Sequence, residues 1–157
     1  MNTDIAIIWN PTKTDRETLE KGLADALDPD SGPRVRWWET SADDPGQAVA
    51  KQAVDAGATT LIVAGGDGTV RAVAEYLAEA GEGIELGIVP LGTGNLLARN
   101  LDVPINDVSG AFTRALSGET RSLDVGWVDV ELEKGSERHA FVVMVGFGID
   151  AQMIAET

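Results

Sequence analysis

Short apolar runs rich in branched side chains alternate with stretches of helical periodicity along residues 4–117, the pattern of a parallel sheet crossed by helices. Residues 4–9 predict a strand. Residues 14–27 predict a helix, with Thr14 and Glu17 in capping-box register and Leu19, Leu23 and Leu27 on one face. A second strand is expected over residues 34–39, followed by a helix that starts near Pro45, a residue tolerated in a first turn, and runs to Asp55. Residues 60–64 and 86–90 give the third and fourth strands, with a helix over 69–80 between them. Residues 95–100 begin a short helix, and after the break at Pro104 another is expected over 105–117.

The texture changes from Arg121. Two strand-like runs, residues 122–132 and 139–148, flank the polar stretch 133–138 with no helical pattern between them. They predict an antiparallel hairpin with Gly135 in its turn. A boundary near residues 118–122 divides the chain into an α/β domain over 1–120 and the start of a β-rich domain over 121–157. A lone two-stranded unit is too small to be stable alone. It is expected to pack on the first domain or to belong to a longer protein, and the second reading is preferred.

The third strand runs into Gly65-Gly66-Asp67-Gly68-Thr69 before a helix resumes. Glycines at a strand-to-helix turn let backbone amides approach an anion, and the free N–H groups and dipole of the new helix face the same point. Asp67 is the odd member, because a carboxylate repels phosphate unless a divalent cation or a hydroxyl proton lies between them. Two more turns follow strands of the same sheet: Asn10-Pro11-Thr12-Lys13-Thr14, and Pro90-Leu91-Gly92-Thr93-Gly94-Asn95. The carboxyl ends of parallel strands share one edge, where ligands bind. Any one glycine-rich turn is as readily a tight connection as a site. Three on one edge favour a site.

Composition narrows the classes. The 157 residues carry 26 acidic and 12 basic side chains, a formal net charge of -14, which argues against nucleic acid and against more than transient contact with a membrane surface. There is no cysteine, so disulfides and thiolate metal sites are excluded and a reducing compartment is expected. No apolar stretch approaches the roughly 20 residues of a membrane span, and residues 1–10 lack the order of a signal peptide. A cytoplasmic protein is the expectation.

GGDGT followed by PLGTGN, with Asn10-Pro11 near the start, resembles the diacylglycerol kinase catalytic domain family, bacterial lipid kinases related to sphingosine and ceramide kinases. GGDGT alone is shared with NAD kinases; the two motifs in this order are more specific. Ser122-Leu123-Asp124-Val125-Gly126 looks like the crossing into that family's β-sandwich domain, and residues 146–151 look like its glycine and aspartate-alanine signature. The resemblance implies a Rossmann-like parallel sheet domain with helices on both faces, followed by the antiparallel start of a β-sandwich. It implies ATP and Mg²⁺ as cofactors, a diacylglycerol-like lipid as phosphoryl acceptor, and nucleotide binding between the two domains.

By position, the resemblance assigns nucleotide contacts to Asn10, Pro11, Thr12, Lys13, Thr14, Thr40, Gly65, Gly66, Asp67, Gly68, Thr69, Gly92, Thr93, Gly94 and Asn95. Asp67 is the candidate catalytic residue, as magnesium organiser or partner of the attacking hydroxyl, and its loss is expected to abolish turnover while leaving the fold. Three departures stand out. Lys13 takes the place of a usual glycine, Arg71 and Ala72 replace a usual Asn-Glu pair, and Leu96 stands where an aspartate is common. The family's general base and structural magnesium residues lie late in its second domain, so these 157 residues alone are expected to bind nucleotide weakly and to lack kinase activity. An NAD kinase-like enzyme and a non-catalytic nucleotide-binding regulatory module are the alternatives. Exposed strand edges also make a homodimer an expectation.

Other conspicuous residues read as structural. Trp9 is expected in the sheet core, Trp37 and Trp38 as one core and one surface residue, and Trp127 in hairpin packing. His139 has no second ligand at metal spacing. Asp28, Asp30, Asp43 and Asp44 sit among turn residues, where carboxylates cap helices, and Asp124 and Asp150 are assigned to the domain junction.

Overall fold

Strand and helix alternate as the hydrophobic pattern requires: β1 (Asp4–Trp9), α1 (Arg16–Ala26), β2 (Arg34–Glu39), α2 (Gln47–Asp55), β3 (Thr60–Gly65), α3 (Asp67–Ala80), β4 (Glu85–Pro90), α4 (Leu96–Asn100) and α5 (Val108–Ser117). A hairpin of β5 (Gly126–Leu132) and β6 (Gly135–Phe141) follows. This computed structural model describes residues 4–28, 32–81 and 83–143. The signature expected over 146–151, including Asp150, and Asp30 lie outside the described residues.

The first four strands are parallel in the order β2-β1-β3-β4, so the two apolar runs β1 and β3 lie at the centre. Both are buried on both faces, which is why they read as continuous hydrophobic runs. Ile5, Ile7 and Trp9 point to one side, packed with Leu19 and Leu23 of α1 and Phe112 of α5. Ala6 and Ile8 point to the other, packed with Val49 of α2, Val73 of α3 and Leu97 of α4. Helices therefore cover both faces of the sheet, as the resemblance implied.

Several boundaries and contacts differ from expectation for identifiable reasons. The cap of α1 is Asp15, not Thr14: its carboxylate accepts the Thr18 N–H at 2.7 Å, and that bond, with the Thr18 hydroxyl second, holds its carboxyl below the usual range. Asp44 caps α2 from outside the helix, accepting the N–H groups of Gly46, Ala48 and Val49 at 3.0, 3.1 and 2.9 Å. Helix α3 begins at Asp67 rather than Thr69, and α5 begins at Val108, after Asp107 caps it, rather than at Ile105. Trp37 and Trp38 are both half-buried, because they lie on an edge strand and face opposite sides. Trp9 is core, at 5% exposure.

The hairpin turn is the largest correction. Leu132 pairs with Gly135, so Glu133 and Lys134 alone make the connection and residues 135–138 belong to the second strand. Ser136, Glu137 and Arg138 are polar because both faces of this part of the hairpin meet solvent, which hid the strand from a hydrophobicity reading. The Arg138 guanidinium lies 4.9 Å over the Trp127 ring, and His139 Nε2 is 3.3 Å from a Glu137 carboxylate oxygen.

Candidate functional site

The carboxyl ends of β1, β3 and β4 are adjacent, so the three loops that follow share one rim. The Asn10 N–H donates to the Ala64 carbonyl at 3.1 Å and the Leu91 N–H to the Gly65 carbonyl at 2.9 Å, stitching the loop starts together. The Asn10 side chain turns its own loop, its Oδ1 accepting the N–H of Thr12 at 2.9 Å and the Thr12 hydroxyl at 2.7 Å. Pro11, Thr12 and Lys13 are consequently presented to solvent, with Thr14 half-buried behind them.

The two glycine loops interlock through Asp67. One carboxylate oxygen accepts the Asn95 N–H at 2.9 Å and the other accepts the Leu96 N–H at 2.7 Å, so Asp67 on α3 supplies the cap that α4 otherwise lacks. A Cβ at Gly94 would stand 2.8 Å from Asp67 Oδ2, and one at Gly92 would stand 2.8 Å from the Gly66 Cα and 2.9 Å from Asn95 Oδ1. Glycine is required at these positions by close approach. Gly92→Val should therefore force the two loops apart. Hydrogen exchange at the Asn95 and Leu96 amides should rise by about tenfold or more while the far-ultraviolet circular dichroism stays unchanged.

Not every assigned residue faces a ligand. Asn95 is buried in a left-handed conformation, φ 51°, with Oδ1 accepting the Gly92 N–H at 2.9 Å and Nδ2 donating to the Gly92 carbonyl at 2.6 Å. Thr69 is buried against Gly65, where a Cβ would lie 3.0 Å from its own. Thr40 is buried and gives its N–H at 3.0 Å and its hydroxyl at 3.4 Å to the Trp9 carbonyl. These three shape the rim from below. Gly68 and Thr93 are exposed on it, and an added Cβ at Gly68 would meet open space.

Arg99 and Glu75 escaped the sequence reading. The Arg99 guanidinium reaches back to the Gly94 carbonyl at 2.8 Å, fixing the loop from the helix it opens. Arg71, which stands where the family usually has asparagine, is drawn one turn along α3 to the buried Glu75 at 3.0 Å. The spacing of four between Arg71 and Glu75 was the available signal.

The arrangement fits a polyphosphate. Gly66 caps α3 without any side-chain hydrogen bond, leaving the first-turn N–H groups and the positive end of the helix dipole for an acceptor at the rim. Each Asp67 oxygen has spent one lone pair on an amide and keeps another. Asp67 is exposed, and no cluster of three or more metal-ligating side chains occurs among the described residues. Of the rim side chains, the Asp67 carboxylate is one that could serve as a ligand to a cation.

Comparison with known proteins decides the family: the diacylglycerol kinase catalytic domain matches residues 4–128. The chain belongs to that family. It is 34% identical over 125 residues to a diacylglycerol kinase of Bacillus subtilis strain 168, covering 78% of this chain and 41% of that protein. It is 36% identical over 125 residues to a diacylglycerol kinase of Staphylococcus aureus strain Newman, covering 76% of the chain and 38% of the relative. A crystal structure of a diacylglycerol kinase from Bacillus anthracis strain Sterne superposes with a TM-score of 0.65 at 25% identity, over 97% of this chain and 52% of that one. The chain thus spans about two fifths of the length of the curated relatives it matches. Among its described residues no helix is long and apolar enough to cross a membrane.

Proposed function

We propose that the chain is the ATP-binding part of a lipid kinase that transfers the γ-phosphoryl group of ATP to the hydroxyl of a diacylglycerol-like lipid. The observation that carries this reading is the interlock of two glycine loops by Asp67 at the uncapped start of α3. ATP supplies the phosphoryl group, and Mg²⁺ neutralises the charge that develops on it. The backbone amides of residues 66–69 bind phosphate oxygens, Lys13 and the rim threonines Thr12 and Thr93 contact the outer side, and Asp67 orients the ion. A site made this way works by positioning and charge neutralisation, which is most of what in-line phosphoryl transfer needs. A cytoplasmic location accords with the absence of cysteine. Dimerisation belongs to the same reading, supported by the hairpin's exposed Val130 and Leu132 at 39% and 50%.

Calorimetry of the chain with ATP should show weak binding that needs Mg²⁺. No heat at millimolar nucleotide would sink the reading. Joined to the rest of the Bacillus subtilis relative in place of its matching segment, the chain should transfer radiolabelled phosphate to diacylglycerol. Transfer to NAD alone would overturn the lipid assignment.

A further inference from the structure

We infer that Glu75 is a positioning residue that fixes the β5–β6 hairpin to the helix carrying the phosphate cradle. Glu75 is the only ionisable residue in the buried class among the described residues, at 8% exposure. A buried carboxylate is destabilising unless its oxygens are satisfied, and here three elements satisfy them. Oε1 accepts the Gln47 amide of α2 at 2.6 Å, while Oε2 accepts the Arg71 guanidinium at 3.0 Å and the backbone N–H of Ala140 in β6 at 2.9 Å. Ala140 is the one buried residue of the hairpin strands, and their polar stretch offers α3 little apolar surface. Val142 and Val143, just past β6, pack against the core cluster that includes Val70 and Val73 of α3, and the carboxylate adds the directional hydrogen bond that fixes how β6 meets the helix.

Position gives the clamp a functional consequence. Glu75 lies eight residues after Asp67, about 12 Å along the helix at 1.5 Å per residue, so hairpin and cradle are held by one rigid rod. Between α2, α3 and β6 it walls a cavity of about 300 Å³ together with Gln47, Arg71, Glu137, Arg138 and His139. Arg71 is engaged in this clamp rather than at the phosphates. The functional part of the inference rests on the lipid kinase reading: the hairpin begins the acceptor-side unit, and Glu75 sets how that unit meets the nucleotide loops.

The test compares Glu75→Leu with Glu75→Gln by amide hydrogen exchange and by kinetics. Leucine removes the acceptor, and should raise exchange at Ala140 and along β6 by about tenfold or more, the factor a charge-assisted hydrogen bond carries, while β1 and β3 stay protected. Glutamine keeps one carbonyl oxygen for Ala140 and should restore most of the protection. Mg²⁺–ATP affinity of the chain should change less than about twofold in either variant, since the cradle is untouched. In the chimera with the Bacillus subtilis relative, Glu75→Leu should raise KM for diacylglycerol severalfold at unchanged KM for ATP. An equal rise in exchange across every strand, unaltered exchange at Ala140, no rescue by glutamine, or a shift confined to KM for ATP would overturn the inference. The exchange result stands without any transfer assay, so failure of the clamp and failure of the lipid kinase reading are told apart.

Discussion

Asp67→Ala is expected to reduce phosphoryl transfer to diacylglycerol at least about a hundredfold, the scale on which preorganised charge stabilisation is lost when one of its elements is deleted. The variant loses the carboxylate that orients Mg²⁺ in the proposed site, and also both hydrogen bonds that cap α4. The fold is expected to survive the second loss at some cost in stability. The freed Leu96 amide lies at the exposed rim and can turn to water, whereas the Asn95 amide belongs to a buried residue, so the stability cost should be about 1–3 kcal/mol. Asp67→Asn separates the two roles. It keeps one acceptor oxygen for the loop but no charge for a cation, so its melting temperature should stay nearer the native value while its transfer rate falls with that of the alanine variant. Transfer rates equal to the unmodified protein in either variant would remove Asp67 from the chemistry.

Phe112→Ala should be the most destabilising single change in the core. Phe112 is 0% exposed on α5, packed among Ile5, Ile7, Leu19 and Val89, where the sheet meets both helices of that face. Truncating a buried phenylalanine costs about 3–5 kcal/mol through lost transfer energy and the cavity left behind. Against a total of about 5–15 kcal/mol this is a large share. The melting temperature should fall by roughly 6–20 °C, and the urea midpoint should drop with its slope unchanged. A shift below about 2 °C would mean that the α5 side repacks. Because Phe112 is a core residue and not one of those presented at the rim, binding at the proposed site measured well below the transition should stay near native.

The parallel layer was legible because its central strands are buried on both faces and its helices are amphipathic: the runs at Ile5–Trp9 and Leu61–Ala64 admit few other readings. Caps were legible by type but not by position. Asp15 outcompetes Thr14, since a carboxylate accepts N–H bonds more strongly than a hydroxyl, and Asp44 acts on a helix that starts three residues later. The hairpin register was not legible, because a strand with two wet faces has no alternation to read. At the site, the glycines announced the cradle, whereas the capping of the α4 loop by Asp67 depends on contacts 28 and 29 residues apart that no local pattern encodes.

In the proposed site the phosphates are held chiefly by main-chain groups, with Lys13 and Thr93 adding side-chain contacts from the outer side. Substitution at positions such as Lys13 or Thr93 alters the surface without moving an amide, while the tightly apposed glycines admit no alternative. Kinship in such a scaffold is written in the backbone path more than in residue identity, and a quarter of matched positions suffices to preserve the same architecture in the Bacillus anthracis enzyme.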